Sequence, residues 1–283
     1  MGKVNLKGFP IVEICLATYN GSLYVEELLE SILNQSYKNW RLIIHDDGST
    51  DGTTDILRKF ESEYDAITLI DDGIAFSDPK MNFSFLLGQT EANYIMLADQ
   101  DDVWLPEKIA KSLSKVTQEE KYFEGDNIPP IVIFGDLIVT DRHLHEISPS
   151  LWSLNNVDIE RSNDISYVAF NNPVTGCAAM MNRAALNVSL PVPDVALMHD
   201  WWIAICTVKY GGYLVELPDR LIYYRQHGGN QVGASLQTKR PVIFDGINFF
   251  LRNIRHFKML KHAGVYNNFF KFFLDKLACN WKW

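Results

Sequence analysis

Cysteine is scarce in this 283-residue chain: only Cys15, Cys177, Cys206 and Cys279 occur. They lie far apart, lack Cys-x-x-Cys spacing and sit among apolar neighbours, which excludes a disulfide framework and disfavours a zinc site. Buried thiols in a reducing cytoplasm are expected. Glycine and proline are also sparse, at 17 and 11 residues, and no repeat, low-complexity tract or flexible linker occurs, so fibrous and disordered classes are excluded. No uncharged apolar run reaches the roughly 18 residues that a membrane span needs. No apolar stretch precedes Ile11 either, so no secretory signal is visible. Positive charge is in deficit, with 26 Lys and Arg against 35 Asp and Glu, and a net charge of −9 is the wrong sign for a general nucleic-acid binder. The deficit is uneven: residues 239–283 hold nine Lys and Arg against Asp245 and Asp275, a balance of +7, which leaves −16 for residues 1–238.

Apolar residues are plentiful at 47%, enough for a large filled core. Ile11–Ala17 reads as a buried strand, Val25–Leu33 as a helix with Leu28, Leu29, Ile32 and Leu33 on one face, and Leu42–Ile44 as a second strand. The alternation continues with a helix over Thr54–Tyr64, a strand over Ile67–Ile70, a helix over Phe83–Gln89 and a strand over Tyr94–Leu97 that runs into Asp99. Such a pattern predicts an α/β domain with a mostly parallel sheet flanked by helices. A helix over Glu107–Val116, a surface loop over Glu119–Pro130 and a strand over Ile131–Gly135 follow. Beyond them come a strand over Ala178–Met181, a helix over Asp200–Tyr210 and short strands over Tyr213–Leu217 and Leu221–Arg225. Two aromatic helices, about 243–262 and 266–280, end the chain. The expected division is a catalytic domain over 1–238, with halves meeting near 105, and a helical tail over 239–283.

Carboxylates gather at predicted strand ends. His45-Asp46-Asp47-Gly48-Ser49-Thr50-Asp51-Gly52 follows the second strand, where open α/β sheets place ligands; it is equally a polar turn rich in Asp and Gly. The loop after the first strand, Ala17-Thr18-Tyr19-Asn20-Gly21-Ser22, holds a single glycine, so a dinucleotide fingerprint is absent. Asp99-Gln100-Asp101-Asp102 puts three carboxylates in four residues. Mutual repulsion raises their pKa values unless a cation compensates, and an oxygen donor set favours Mg²⁺ or Mn²⁺ over zinc.

Together these segments resemble glycosyltransferase family two, enzymes of the GT-A fold that use nucleotide sugars. The likeness rests on Leu16–Gly21, Ile32-Leu33-Asn34-Gln35-Ser36, Asp46–Thr53 and Asp99-Gln100-Asp101-Asp102-Val103-Trp104, in that order. Thr175-Gly176-Cys177, His199-Asp200-Trp201-Trp202 and Tyr224-Arg225-Gln226-His227-Gly228 resemble its bacterial rhamnosyltransferase-like branch. The resemblance implies that Thr18, Asn20, Asp46, Asp47, Asp99 and Gln100 form the nucleotide-sugar pocket, with either Asp46 or Asp47 accepting the base N3–H. It implies a Mn²⁺ or Mg²⁺ ion on Asp101 and His227, with Asp99 reaching the ribose or the metal. Asp200 is then the general base, since transfer to a hydroxyl needs a group that takes its proton; an Asp before an apolar helix is also a cap. His199, Trp201, Thr175 and Gly176 are the implied acceptor side, and Asp136 and Asp141 are weaker candidates there.

The implied activity is inverting transfer of a hexose or deoxyhexose from a UDP- or dTDP-sugar to a hydroxyl of a lipid-linked surface-polysaccharide intermediate. The rivals are a nucleotidyltransferase, for which Thr18–Leu23 offers no basic phosphate loop, and an inactive carbohydrate-binding scaffold, which leaves the ordered carboxylates unexplained. The basic, aromatic tail suggests an anionic membrane surface, hence a peripheral location on the inner face of the cell membrane. Its aromatics instead packing on the catalytic domain is the alternative.

Overall fold

The computed structural model describes residues 8–123, 125, 127–227 and 246–280. The expected 238/239 boundary and residues Gly228, Lys239, Arg240, Phe244, Trp281, Lys282 and Trp283 lie outside them. The chain opens with β1 (Val12–Thr18), α1 (Val25–Leu33), β2 (Trp40–Asp46), α2 (Thr53–Glu63) and β3 (Ile67–Ile70). It continues with α3 (Pro79–Gly88), β4 (Tyr94–Asp99), β5 (Val103–Trp104) and α4 (Lys108–Glu120). β6 (Ile131–Gly135), β7 (Ile138–Thr140), β8 (Glu146–Ser148), α5 (Leu151–Asn155) and α6 (Ile165–Val168) come next. Then follow β9 (Ala179–Asn182), α7 (Arg183–Ser189), α8 (His199–Lys209), β10 (Tyr213–Leu217), β11 (Ile222–Arg225), α9 (Gly246–His262) and α10 (Phe269–Asn280).

Seven strands form one sheet in the order β10-β6-β9-β4-β1-β2-β3, all parallel except β9, which runs antiparallel to both its neighbours. The parallel register puts Thr18 beside Asp46 and Ala17 beside Asp99, so the acidic segments share one rim of the sheet. A second sheet, β5-β11-β7-β8, borders that rim. Both faces of the large sheet are covered, as parallel sheets require. Met96 and Ala98 of β4 face one core with Leu28, Leu57 and Ile109, while Ile95 and Leu97 face a second with Phe83, Leu86 and Ile203, following the two-residue period of a strand.

Several boundaries differ from the sequence reading. α3 starts at Pro79, four residues before the expected Phe83, because Asp78 accepts from Lys80 N as a cap and proline suits the first helical position. α4 runs on to Glu120, into the expected loop. The short β5, β7 and β8 were not anticipated; two or three residues show no alternation to read. The cysteine expectation needs one correction: Cys15, Cys177 and Cys206 are buried, but Cys177 sits beside Asp99 and Asp102 rather than in apolar surroundings.

A candidate active site at the carboxyl rim of the sheet

The first two βα loops are sewn together by side chains. Asp46 accepts from Thr18 Oγ1 (2.8 Å), Ser49 N (2.8 Å) and Ser49 Oγ (2.6 Å). Asn20, at φ 47°, donates its N–H to Ser49 Oγ (2.8 Å) and accepts from Thr50 N with its side chain (2.9 Å). Asp47 is buried and accepts the backbone N–H of Phe76, which ties the 71–78 segment to the loop after β2. Gln100 reaches back from β4 and clamps the backbone of Tyr19, accepting its N–H (2.8 Å) and donating to its carbonyl (2.9 Å). A Cβ on Gly21 would lie 2.3 Å from Gln100 Oε1, so only glycine fits beneath this clamp. Thr18, Asn20, Asp46, Asp47 and Gln100 are thus brought to one wall.

Across that wall lies the acidic turn. Asp101 Oδ2 is 2.8 Å from His227 Nε2, joining two residues 126 positions apart. The Asp99 carboxyl is pushed up to about 7, first by burial and then by the negative charges of Asp101 and Asp200, so these three carboxylates share one electrostatic neighbourhood. Asp102 is completely buried and accepts from Arg225 N (3.3 Å). One ligand atom each of Asp99, Asp102 and Cys177 lies within 4.8 Å of the others, an Asp-containing candidate metal site. Asp102 and Cys177 have no exposed surface, however, and a thiol is a soft donor for Mg²⁺ or Mn²⁺. Asp101 Oδ2 and His227 Nε2, 2.8 Å apart, offer an oxygen and a nitrogen donor of the kinds that such an ion could take.

Sequence reasoning missed two supports of this turn and a third that holds the approach to α8. Arg225 is buried in β11 and donates to Asp101 O (2.8 Å), to Arg142 O (2.7 Å) and to Glu27. Lys108 is buried with Nζ 3.5 Å from the centre of the Trp104 ring; burial lowers its pKa to about 7 despite the nearby Cys177, Asp102 and Asp99. Lys80, also buried, donates to Asp194 O (2.8 Å) and Ala196 O (3.2 Å), pinning the strap that leads into α8. The readable signal for Lys108 was its i, i+4 spacing from Trp104; nothing local marked Arg225 as buried.

Asp200 stands in the first turn of α8. Met198, not Asp200, is the helix N-cap, and the capping role expected of Asp200 is replaced by a tether: Oδ1 accepts Trp201 N (2.6 Å) and Oδ2 accepts Gly176 N (3.1 Å). The other acceptor-side residues do not all face the same space. His199 is buried with its ring centre 4.3 Å from that of Phe83, and burial lowers its pKa, which keeps the imidazole neutral. Trp201 turns its indole N–H to Val168 O (2.7 Å) and packs its ring against His256 of α9. Thr175 lines a small cavity, and Gly176 touches Asp200 directly. Asp136 is taken up by Arg220 (2.9 Å), Trp152 N and Leu137 N, and Asp141 by His145, so both serve as loop anchors.

Residues 13–188 match the family model described as Glycosyl transferase family 2. The chain belongs to this family. The protein is therefore a glycosyltransferase of an inverting family, and Asp200 and His227 lie beyond the matched stretch. The glycosyltransferase is 29% identical over 238 residues to dTDP-rhamnosyl transferase RfbG of Shigella flexneri, covering 79% of this chain and 75% of the relative. It is 31% identical over 257 residues to UDP-Glc:alpha-D-GlcNAc-diphosphoundecaprenol beta-1,3-glucosyltransferase WfaP of Escherichia coli, covering 90% and 87%. Its fold is that of mannosyltransferase PcManGT from Pyrobaculum calidifontis in complex with GDP-Man and Mn2+, with TM-score 0.56, 17% identity and coverage of 93% and 77%. S. aureus TarS 1-349 matches at TM-score 0.56 and 17% identity over 76% of this chain, which spans 60% of that structure. The expected GT-A fold holds.

Proposed function

We propose that this glycosyltransferase moves a hexosyl or deoxyhexosyl unit from a UDP- or dTDP-sugar to a hydroxyl of a lipid-linked intermediate in bacterial surface-polysaccharide synthesis. The observation that carries the reading is the meeting of Asp101 with His227 at 2.8 Å, beside Asp99, whose carboxyl is raised by burial first and then by the charges of Asp101 and Asp200. That meeting joins the turn after β4 to the segment after β11, and the bond from Gly176 N to Asp200 supports reading these acids as one site. The dTDP-rhamnosyl transferase of Shigella flexneri and the diphosphoundecaprenol-dependent glucosyltransferase of Escherichia coli support the sugar and the lipid-linked acceptor.

In this reading Thr18, Asn20, Asp99, Gln100 and one of Asp46 and Asp47 hold the nucleotide. Asp101, His227 and Asp99 would hold Mn²⁺ or Mg²⁺, which as a Lewis acid offsets the charge of the diphosphate leaving group. Asp200 accepts the proton of the acceptor hydroxyl as its oxygen bonds the anomeric carbon and the glycosidic C–O bond to diphosphate breaks, its electron pair leaving with the nucleotide. Backbone N–H groups of Gly176 and Trp201 hold the carboxylate in position for that role. The test is nucleoside diphosphate release from UDP-glucose and dTDP-rhamnose with a polyprenyl-diphosphate-linked sugar as acceptor. Acceptor-dependent release with Mn²⁺ and its loss in excess chelator are expected; full turnover in chelator removes the metal assignment, and no release with any donor removes the function.

The same reading assigns the outer face of the tail to an anionic membrane surface on the cytoplasmic side. Phe270, Leu274 and Leu277 are exposed at i, i+4 and i+7 on α10, one stripe of the helix. Exposed Phe250, Leu251, Arg252, Arg255 and Lys258 on α9 add apolar and basic surface. No described helix is long and apolar enough to cross a membrane.

A further inference from the structure

A cavity of about 150 Å³ lies between α5, α6 and the 171–175 segment, and no role has so far been assigned to it. At about 30 Å³ per water it has room for about five, the scale of a single sugar ring rather than an oligosaccharide. Its wall contains four asparagines, Asn155, Asn156, Asn171 and Asn172, with Thr175, the partly exposed Trp152 and the buried Tyr167 behind them. No Lys, Arg, Asp or Glu lines it.

The amides are not all spent on the fold. Asn172 Oδ1 accepts Val174 N (3.2 Å), and its NH₂ has no partner among the described residues. Asn171 uses its NH₂ on Tyr167 O (3.2 Å) and Cys279 Sγ (3.5 Å), while its side-chain carbonyl has no donor among them. Asn155 and Asn156 place further uncommitted amides, each both donor and acceptor, at the mouth. Sugar hydroxyls are likewise both donors and acceptors, and the apolar faces of a pyranose suit aromatic walls. A diphosphate or a uronate needs cationic partners, which the lining lacks.

Its location ties the cavity to the chemistry. Thr175 is in its wall, and the next residue, Gly176, donates its N–H to Asp200 Oδ2 at 3.1 Å. We infer that this cavity binds one uncharged pyranose of the acceptor glycan, so that Trp152 and the asparagines select a neutral sugar next to Asp200. The inference rests on the proposed function for its role in transfer, whereas sugar binding itself is independent of it.

The probes are methyl α-glucoside, methyl N-acetyl-glucosaminide and methyl glucuronide at millimolar concentration, read by saturation-transfer NMR on the full chain. Signal on a neutral glycoside and none on the glucuronide is expected. Asn172→Asp keeps the acceptor for Val174 N, replaces the free NH₂ with charge, and should weaken neutral-glycoside binding at least tenfold. Trp152→Ala should abolish it, with the melting temperature of each variant reported alongside. Absence of binding to both neutral glycosides, preference for the glucuronide, or undiminished binding by a folded Asn172→Asp protein overturns the inference. Thermal protection by UDP-glucose or dTDP-rhamnose with Mn²⁺ is measured in the same samples. Sugar binding without nucleotide-sugar protection strikes the proposed donor, and nucleotide-sugar protection without sugar binding strikes only this cavity.

Discussion

Asp200 is held by two backbone N–H groups, at 2.6 and 3.1 Å, one on each carboxylate oxygen; in Asp200→Asn the amide oxygen keeps one of these bonds and the NH₂ gives up the other, a cost of about 1–3 kcal/mol that is less than the stability of a domain. Asp200→Asn should therefore keep the fold and the affinity for nucleotide sugar while lowering kcat by roughly 10²–10⁴-fold, the usual contribution of a general base. Comparing kcat with donor Kd in one preparation checks this; an unchanged kcat would leave Asp200 only a tether between α8 and Gly176. Gly21 poses a steric question instead. In Gly21→Ala the new methyl meets Gln100 and breaks its two bonds to Tyr19, which should cost about 1–2 kcal/mol and raise the donor KM severalfold. Gln100→Ala should do similar damage, and the double variant no more than either alone, since both remove the same clamp. Strictly additive losses would show that Gly21 and Gln100 act separately. The carboxylates of this rim were legible because three acids in four residues after a strand are a local signal. Arg225 and Lys108 were not, because what makes them notable is burial against partners remote in sequence: Glu27, Arg142 and Asp101 for one, Asp99, Asp102 and Cys177 for the other.

Among the elements, those with a full period were readable and those without were not. Val25–Leu33, Ile67–Ile70, Ile131–Gly135 and Tyr213–Leu217 fall where hydrophobic spacing puts them, whereas β5 and β7 exist through pairing with the distant β11, and β8 through pairing with β7. The tail helices show how tertiary contacts remake an element. α9 carries His256, an ordinary surface residue by its neighbours, into the second core, where Nε2–H donates to Ala169 O (2.7 Å) and Nδ1 accepts from Lys276 of α10 (2.9 Å). Burial first, and the charge of Lys276 second, lower its pKa from 6.5 to about 4. The unfolded chain therefore takes up the proton at higher pH than the folded one. Stability from neutral His256 is complete above about pH 6.5 and is lost as pH falls toward 4. Asp99, whose carboxyl is pushed up to about 7 chiefly by burial, acts in the opposite sense over the same range, so one melting curve mixes both. The difference between wild type and His256→Gln isolates the histidine: the variant is expected to be less stable at pH 8 but to lose less of its melting temperature between pH 7 and 5. Equal losses would show that His256 stays neutral without cost or is already solvated.

For the molecule as a whole, the uneven charge and the two-faced tail have to be read together. Met259, Leu260, Tyr266 and Phe272 of the tail region are buried in the core that also holds Phe83, Trp202 and Ile203, so these residues are structural. Phe270, Leu274 and Leu277 point away from that core, and the basic residues beside them belong to the part of the sequence whose balance is +7. One helix pair thus serves the fold with one face and leaves the other for a surface. Deleting the tail would uncover the core and confuse unfolding with lost docking; substitution on the outer face avoids this. Each basic residue close to an anionic bilayer contributes about 1 kcal/mol, an attraction that salt screens, while burial of apolar side chains is insensitive to salt. Phe270→Ser combined with Leu274→Ser and Leu277→Ser should leave the melting temperature within a few degrees of wild type and weaken binding to anionic vesicles at least tenfold. Charge reversal at Arg252 and Arg255 should instead flatten the salt dependence. Co-sedimentation with anionic and with neutral vesicles at low and high salt measures both effects. Wild-type protein that remains in the supernatant with anionic vesicles at low salt would remove the membrane assignment and leave the apolar stripe to a protein partner.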